Sequence, residues 1–206
     1  SRKPLFYGGE GLETDLSRAR KEKRLFGILN GCNYPRDYKK PVFKLPDLID
    51  NLDKEVSKWE KTSEENDFYH SEIRKKLDNI KFFYKNKKLD ILISSVSRIV
   101  PQKIFLLKNR DKNNVSAIEL ILQSISNLNA LYILLGNGNK EDEEFFREIN
   151  NKYENFIFLN GFSNECAKII YASGDIFLMP SSYEPCGISQ MLALRDGQVC
   201  IGNSVG

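Results

Sequence analysis

Five short runs rich in β-branched and aromatic residues alternate with helical patterns from about Leu89 onward, which predicts an α/β domain on a parallel sheet with crossover helices. Composition agrees: 41% hydrophobic and 29% charged residues in 206 describe a folded chain that buries a core. One core is the default for this length.

Residues 1–36 read as a lead-in segment. Residues 37–88 read as a helical insertion, because Leu45, Leu48, Ile49, Leu52, Val56 and Trp59 recur at helical spacing before Ser63 opens a second helix. Trp59 lies on that apolar stripe and is expected in the core. His70 falls among polar helical residues with no second base or ligand beside it and receives no catalytic role. The segment Lys81 to Lys88 mixes Phe82, Phe83 and Tyr84 with lysines; a solvated connection is expected rather than a single-stranded nucleic acid platform.

Residues 89–206 carry the sheet, with strands expected at Asp90–Ser95, Ala130–Leu135, Asn155–Leu159, Asp175–Met179 and Gln198–Ile201. Between them, Val115 to Leu128 places Val115, Ile118, Leu122 and Ile125 on one helical face, and Glu141 to Ile149 pairs Phe145 with Ile149. The acidic run Glu141 to Glu144 suits the positive end of its helix dipole. The chain reads as a fragment truncated at its C-terminal end, since Ile201 to Gly206 is a strand entering a loop with no final helix behind it.

Several function classes are set aside. A net charge of +3, from 31 Lys and Arg against 28 Asp and Glu, gives no footprint for duplex nucleic acid. Apolar runs such as Leu89 to Val96 fall far short of the roughly 20 residues that span a bilayer, so no membrane partner is expected. With no apolar signal core in Ser1 to Glu10, the expected setting is cytoplasmic. Cys32, Cys166, Cys186 and Cys200 lie far apart without a CxxC pair, so they read as reduced thiols rather than as zinc ligands or a disulfide framework. No metal site is expected.

Three segments carry chemistry. Ser97-Arg98-Ile99-Val100-Pro101-Gln102-Lys103 follows the first strand, at the sheet edge where open α/β folds bind ligands. Arg98 and Lys103 could converge there on a diphosphate, or simply be solvated loop cations. Leu135-Gly136-Asn137-Gly138 also follows a strand, and its glycines suit either a tight turn or backbone approach to a ligand. The stretch Asp175 to Met191 runs from a strand through Glu184-Pro185-Cys186-Gly187 into a glycine-opened helix whose first amides suit a phosphate. Glu184 there could hold sugar hydroxyls, stabilise positive charge at an anomeric carbon, or cap the helix.

In this order, the segments resemble the C-terminal domain of bacterial glycogen synthases and plant starch synthases, glycosyltransferase family 5. The match runs from Tyr7-Gly8-Gly9-Glu10-Gly11-Leu12 through Leu25 to Gly31 and on to Gly206, thin only over residues 37–88; Glu184-Pro185-Cys186-Gly187 with Gln190 is its most specific part. The resemblance implies the C-terminal Rossmann-like half of a GT-B glycosyltransferase, with helices on both faces of the sheet and an N-terminal GT-B domain as missing partner. It implies a retaining transfer of glucose from ADP-glucose or UDP-glucose to the non-reducing end of an α-1,4-glucan, with no cofactor beyond the donor substrate. Carried over by position, Arg98 and Lys103 would neutralise the leaving diphosphate, and Glu184 would contact the glucosyl unit. Gly187, Ile188 and Ser189 would meet the donor at the helix start, Phe162 would stack on the base, Asn30 would touch the sugar and Cys186 would line the site. Ile104 and Asn33 depart from the family pattern. A catalytically inactive nucleotide- or glucan-binding module is therefore the alternative.

Overall fold

The computed structural model describes residues 12–28, 31–60, 67–184 and 186–205. The chain divides into two compact units, residues 1–31 and 32–206. In the first, Glu13–Lys21 forms helix α1, with Glu13 and Asp15 in its first turn and Arg18, Arg20 and Lys21 in its last, charges that complement the helix dipole. The opening motif Tyr7 to Gly11, the expected contact Asn30 and the expected helix start Ser63 lie outside the described residues.

The second unit is built on a five-stranded parallel sheet of order β3-β2-β1-β4-β5. Its strands are β1 (Ile91–Val96), β2 (Ala130–Gly136), β3 (Phe156–Asn160), β4 (Ile176–Met179) and β5 (Val199–Gly202). Each lies within a residue of its expected position. All seven residues of β2 and all five of β3 are buried, as expected of parallel strands covered on both faces. In this Rossmann-like order the chain reverses direction across the sheet between β1 and β4, and a crevice opens at their carboxyl ends.

Helices α2 (Leu45–Glu60) and α3 (Asp67–Phe83) pack on one another, α2 against α7 (Asn164–Ser173) and α3 against β3. Their apolar stripes, Leu48, Ile49, Leu52 and Val56 in α2 and Ile73, Leu77 and Ile80 in α3, join the same core as the strands. Trp59 is half-buried against that core rather than fully inside it. His70 is buried, its Nε2 3.3 Å from the Asn160 carbonyl, and its Nδ1 has no hydrogen-bond partner among the described residues.

Two elements refine the sequence expectations. In α5 (Ala117–Ser124), Ile118 and Leu122 are fully buried while Val115 and Ile125 are only partly so; a Ser116–Glu119 capping box starts the helix two residues after the expected position. In α6 (Lys140–Lys152), Phe146 rather than Phe145 packs with Ile149 in the core. The helix is rotated one position from the expected face, and Phe145 lies beside the Lys108 ammonium instead.

Candidate functional site

Ser97 to Lys103 does not form a loop throughout. Pro101 opens helix α4 (Pro101–Lys108), where its missing N–H costs nothing, so Lys103 stands on the first helical turn and only Arg98 is in the loop. That loop lies hard against the one after β2. Ile99 N–H donates to the Asn137 carbonyl at 2.8 Å, and Asn139 N–H donates to Ile99 at 2.9 Å. A Cβ on Gly136 would fall 1.9 Å from the Ser97 carbonyl oxygen, and one on Gly138 2.0 Å from that of Ile99. Both glycines are therefore required by loop-to-loop contact, which holds the Arg98 loop in place.

A cavity of about 290 Å³ opens at this edge, lined among others by Arg98, Asn137, Phe162, Tyr171 and Ser189. Phe162 follows β3 and keeps 60% of its surface exposed, which leaves a flat apolar face available. Arg98 is exposed and makes no ion pair among the described residues, so its guanidinium is free to meet an anion.

Beside the cavity, at the β1/β4 switch point, Lys103 and Glu184 form a direct ion pair with both side chains largely buried, 15% and 12% exposed. Glu184 also accepts from the Ser181 hydroxyl at 3.2 Å and the Gly187 amide at 3.1 Å. Burial opposes its charge, but Lys103, Ser181 and Gly187 more than offset that and hold the carboxyl below its usual range. The loop is stitched to α4: Ser182 N–H donates to the Gln102 carbonyl at 2.8 Å, and Gln102 Nε2 donates to that of Tyr183 at 2.9 Å.

Gly187 caps helix α8 (Ile188–Arg195) in the left-handed region at φ +73, a conformation natural to glycine. Its amide, expected to face a phosphate, is occupied by Glu184. The first-turn amides of Ile188 and Ser189 have no helical partner, and Ser189 lines the same cavity as Arg98. Ile188 is 42% exposed at the helix start, and Cys186 is half-buried in the loop before it. All four cysteines are unpaired, and burial pushes the Cys166 thiol up to about 12. Among the described residues, no three His, Cys, Asp or Glu side chains gather as a metal site.

Arg98, Phe162 and Ser189 thus share one cavity, while Lys103, Glu184 and Gly187 form a connected cluster next to it. Asn137, Tyr171 and Ser181 were not singled out in the sequence. Asn137 stood between the two glycines and Ser181 within the Asp175 to Met191 stretch, whereas Tyr171 lies in α7, whose start at Ser163, accepting from the Glu165 and Cys166 amides, was the signal available. Ile104 is buried in the core beneath the site.

The parallel order and the crevice at its switch point define the fold, a Rossmann-like α/β domain of the kind that forms one half of GT-B glycosyltransferases. The catalytic domain of starch synthase IV from Arabidopsis thaliana, solved bound to ADP and acarbose, shares the fold with a TM-score of 0.56, covering 97% of this chain and 36% of that one at 24% identity. More particularly, the chain is similar to glycogen synthases almost end to end. That of Pseudothermotoga lettingae is 36% identical over 195 residues, 94% of this chain and 35% of the relative. The corresponding values are 34% over 205 residues, 98% and 37%, for Lachnoclostridium phytofermentans, and 33% over 181 residues, 85% and 31%, for Thermosipho africanus. The chain spans about a third of the length of these relatives. No protein-family profile matches it. No described helix is long and apolar enough to cross a membrane.

Proposed function

We propose that this chain is the nucleotide-sugar-binding part of a retaining glucosyltransferase that moves glucose from ADP-glucose, or UDP-glucose, to the non-reducing end of an α-1,4-glucan. The observation that carries the reading is the cavity at the carboxyl edge, where a free arginine, an exposed aromatic face and a helix start come together from three separate segments. Phe162 stacks on the base, and Arg98 with the Ile188 and Ser189 amides holds the diphosphate. In the transfer, the bond from the anomeric carbon to the diphosphate oxygen breaks and an acceptor hydroxyl oxygen takes its place on the same face. The hydroxyl proton leaves with the departing phosphate oxygen.

Lys103 sits between the two ends of this reaction. Its ammonium partners Glu184 and is placed to neutralise the leaving diphosphate, while the ionised Glu184 faces the positive charge that grows at the anomeric carbon. The scheme uses no cofactor or metal; a second GT-B domain closes the cleft, in a cytoplasmic setting.

The two head groups touch, yet their substitutions should separate. Lys103→Ala should weaken ADP binding about tenfold or more through loss of a charge-assisted contact of roughly 1.5–3 kcal/mol. Glu184→Gln leaves the ammonium in place and relieves its neutralisation, so ADP affinity should hold or rise slightly, while turnover in the full-length enzyme should fall by orders of magnitude. Calorimetry with ADP and an assay of glucose incorporation would read both; equal loss of ADP affinity in the two variants would refute the assignment.

A further inference from the structure

A second groove, about 550 Å³ in volume, lies at the opposite, amino-terminal edge of the sheet, between the end of α3, the turn before β2 and the turn before β3. That volume is within the roughly 300–1,000 Å³ typical of small-ligand sites. Its floor is apolar, with Ile80 and Leu131 buried beneath it. Its walls carry the rings of Phe83, Tyr84 and Tyr153 interleaved with side-chain amides, including Asn79 and Asn127. Phe83 is 53% exposed, and Phe82 beside it 80%. The amides of Asn79 and Asn127 are exposed and have no hydrogen-bond partner among the described residues.

Charge narrows the choice of occupant. Lys152, the cation of the lining, is held by Glu119 at 2.6 Å, Glu154 contributes a compensating negative charge, and the neighbouring Lys87 lies over the Phe83 ring at 3.9 Å. An anionic polymer would find no uncommitted cation in the lining. A neutral polyhydroxyl chain finds both contacts it needs: aromatic surface for the C–H face of a sugar, in a Phe83 ring that stays half exposed although Lys87 lies over it and Tyr84 meets it edge-on, and amides that donate to and accept from neighbouring hydroxyls.

We propose that this groove is a second α-glucan-binding site, separate from the transfer site. The identity of the sugar rests on the acceptor reading given above; the groove and its chemistry do not. The seven residues of β2 separate the two edges by roughly 20 Å, so the groove holds a different stretch or branch of the polymer from the one being extended, and keeps the glucan near the enzyme between transfers.

Isotope-labelled chain titrated with maltoheptaose, and separately with ADP, tests the proposal by amide chemical shifts. Maltoheptaose should move the amides of residues 79–84, 126–129 and 152–155. Phe83→Ala and Asn127→Ala should each weaken this effect roughly fivefold to tenfold and leave ADP affinity unchanged. Asn127 lies on an exposed turn, so its variant retains the fold even where Phe83→Ala loosens the end of α3. Shifts confined to the carboxyl edge, no shifts, indifference to both substitutions, or groove shifts produced by single-stranded RNA instead of the sugar would each overturn the proposal. If ADP binds while maltoheptaose leaves the groove untouched, only this inference falls. If maltoheptaose fills the groove and ADP does not bind, the groove stands and the donor-binding reading falls.

Discussion

Of the roles open to Glu184 in the sequence, the helix cap is the one its contacts fill, through the Gly187 amide, and the same carboxylate also pairs with Lys103, a contact the sequence does not announce. The cap fixes the oxygen positions and the ammonium keeps the carboxyl ionised, which is what the charge-stabilising role proposed above requires. Gly138 acts on the site from further away, because its missing Cβ lets the Arg98 loop lie against the loop after β2. Gly138→Ala should therefore push that loop outward, costing about 1–3 kcal/mol of stability and weakening ADP binding along with it. Thermal unfolding and calorimetry would register both losses; a variant with wild-type stability and affinity would show that the loop contact is unimportant.

At the level of elements, two sets of contacts tie distant segments of the second unit together. The segment 32–38 is clasped to α8: the Tyr34 hydroxyl donates to the Met191 carbonyl at 2.7 Å, the Tyr38 hydroxyl donates to Asp196, and the Arg195 guanidinium stacks 4.5 Å over the Tyr38 ring. The start of α5 is tied to the end of α6 through Glu119, which accepts from Ser116 and Lys152. Burial would raise the Glu119 carboxyl, but the Lys152 ammonium and the Ser116 amide and hydroxyl outweigh it and hold it at about 2, against 4.5 ordinarily. A depressed carboxyl contributes stability that is complete above pH 4.5 and lost as pH falls from there toward 2. Glu119→Gln should destabilise the fold by about 1–3 kcal/mol at pH 7 and flatten that acid-side loss, as urea unfolding across pH would measure. The strands were legible because β-branched runs bounded by polar residues leave little choice of register, as in Ile91 to Val96. Helices α4 and α7 are weakly marked in the sequence: in α4 the apolar residues Ile104, Phe105, Leu106 and Leu107 are contiguous rather than periodic, and in α7 the buried Cys166, Ala167, Ile170 and Tyr171 keep helical spacing but are joined by Ile169 and Ala172, which blur the stripe. Phe145 and Phe146 are adjacent, so spacing alone could not decide which faces inward, and packing against Phe156 and Phe158 did.

For the whole molecule, the strand order sets what the residues can do together. Because β1 and β4 are neighbours in the sheet but far apart in sequence, the loops after them meet at the switch point and bring Lys103 to Glu184 across 81 positions. The motifs name both residues without placing them in contact, since nothing local in the chain encodes a pairing at that distance. Arg98 and Phe162 likewise stand apart in the sequence, and only the sheet shows them lining one cavity. The groove at the amino-terminal edge was hidden for the same reason, its walls coming from three distant segments. The central claim is that the cavity at the carboxyl edge binds a nucleoside diphosphate, and ADP titrated into isotope-labelled chain tests it most directly. We expect amide shifts at residues 97–98, 137, 162 and 188–189, and about tenfold weaker binding in Lys103→Ala. The absence of shifts at saturating ADP, or shifts located away from this edge, would contradict the account.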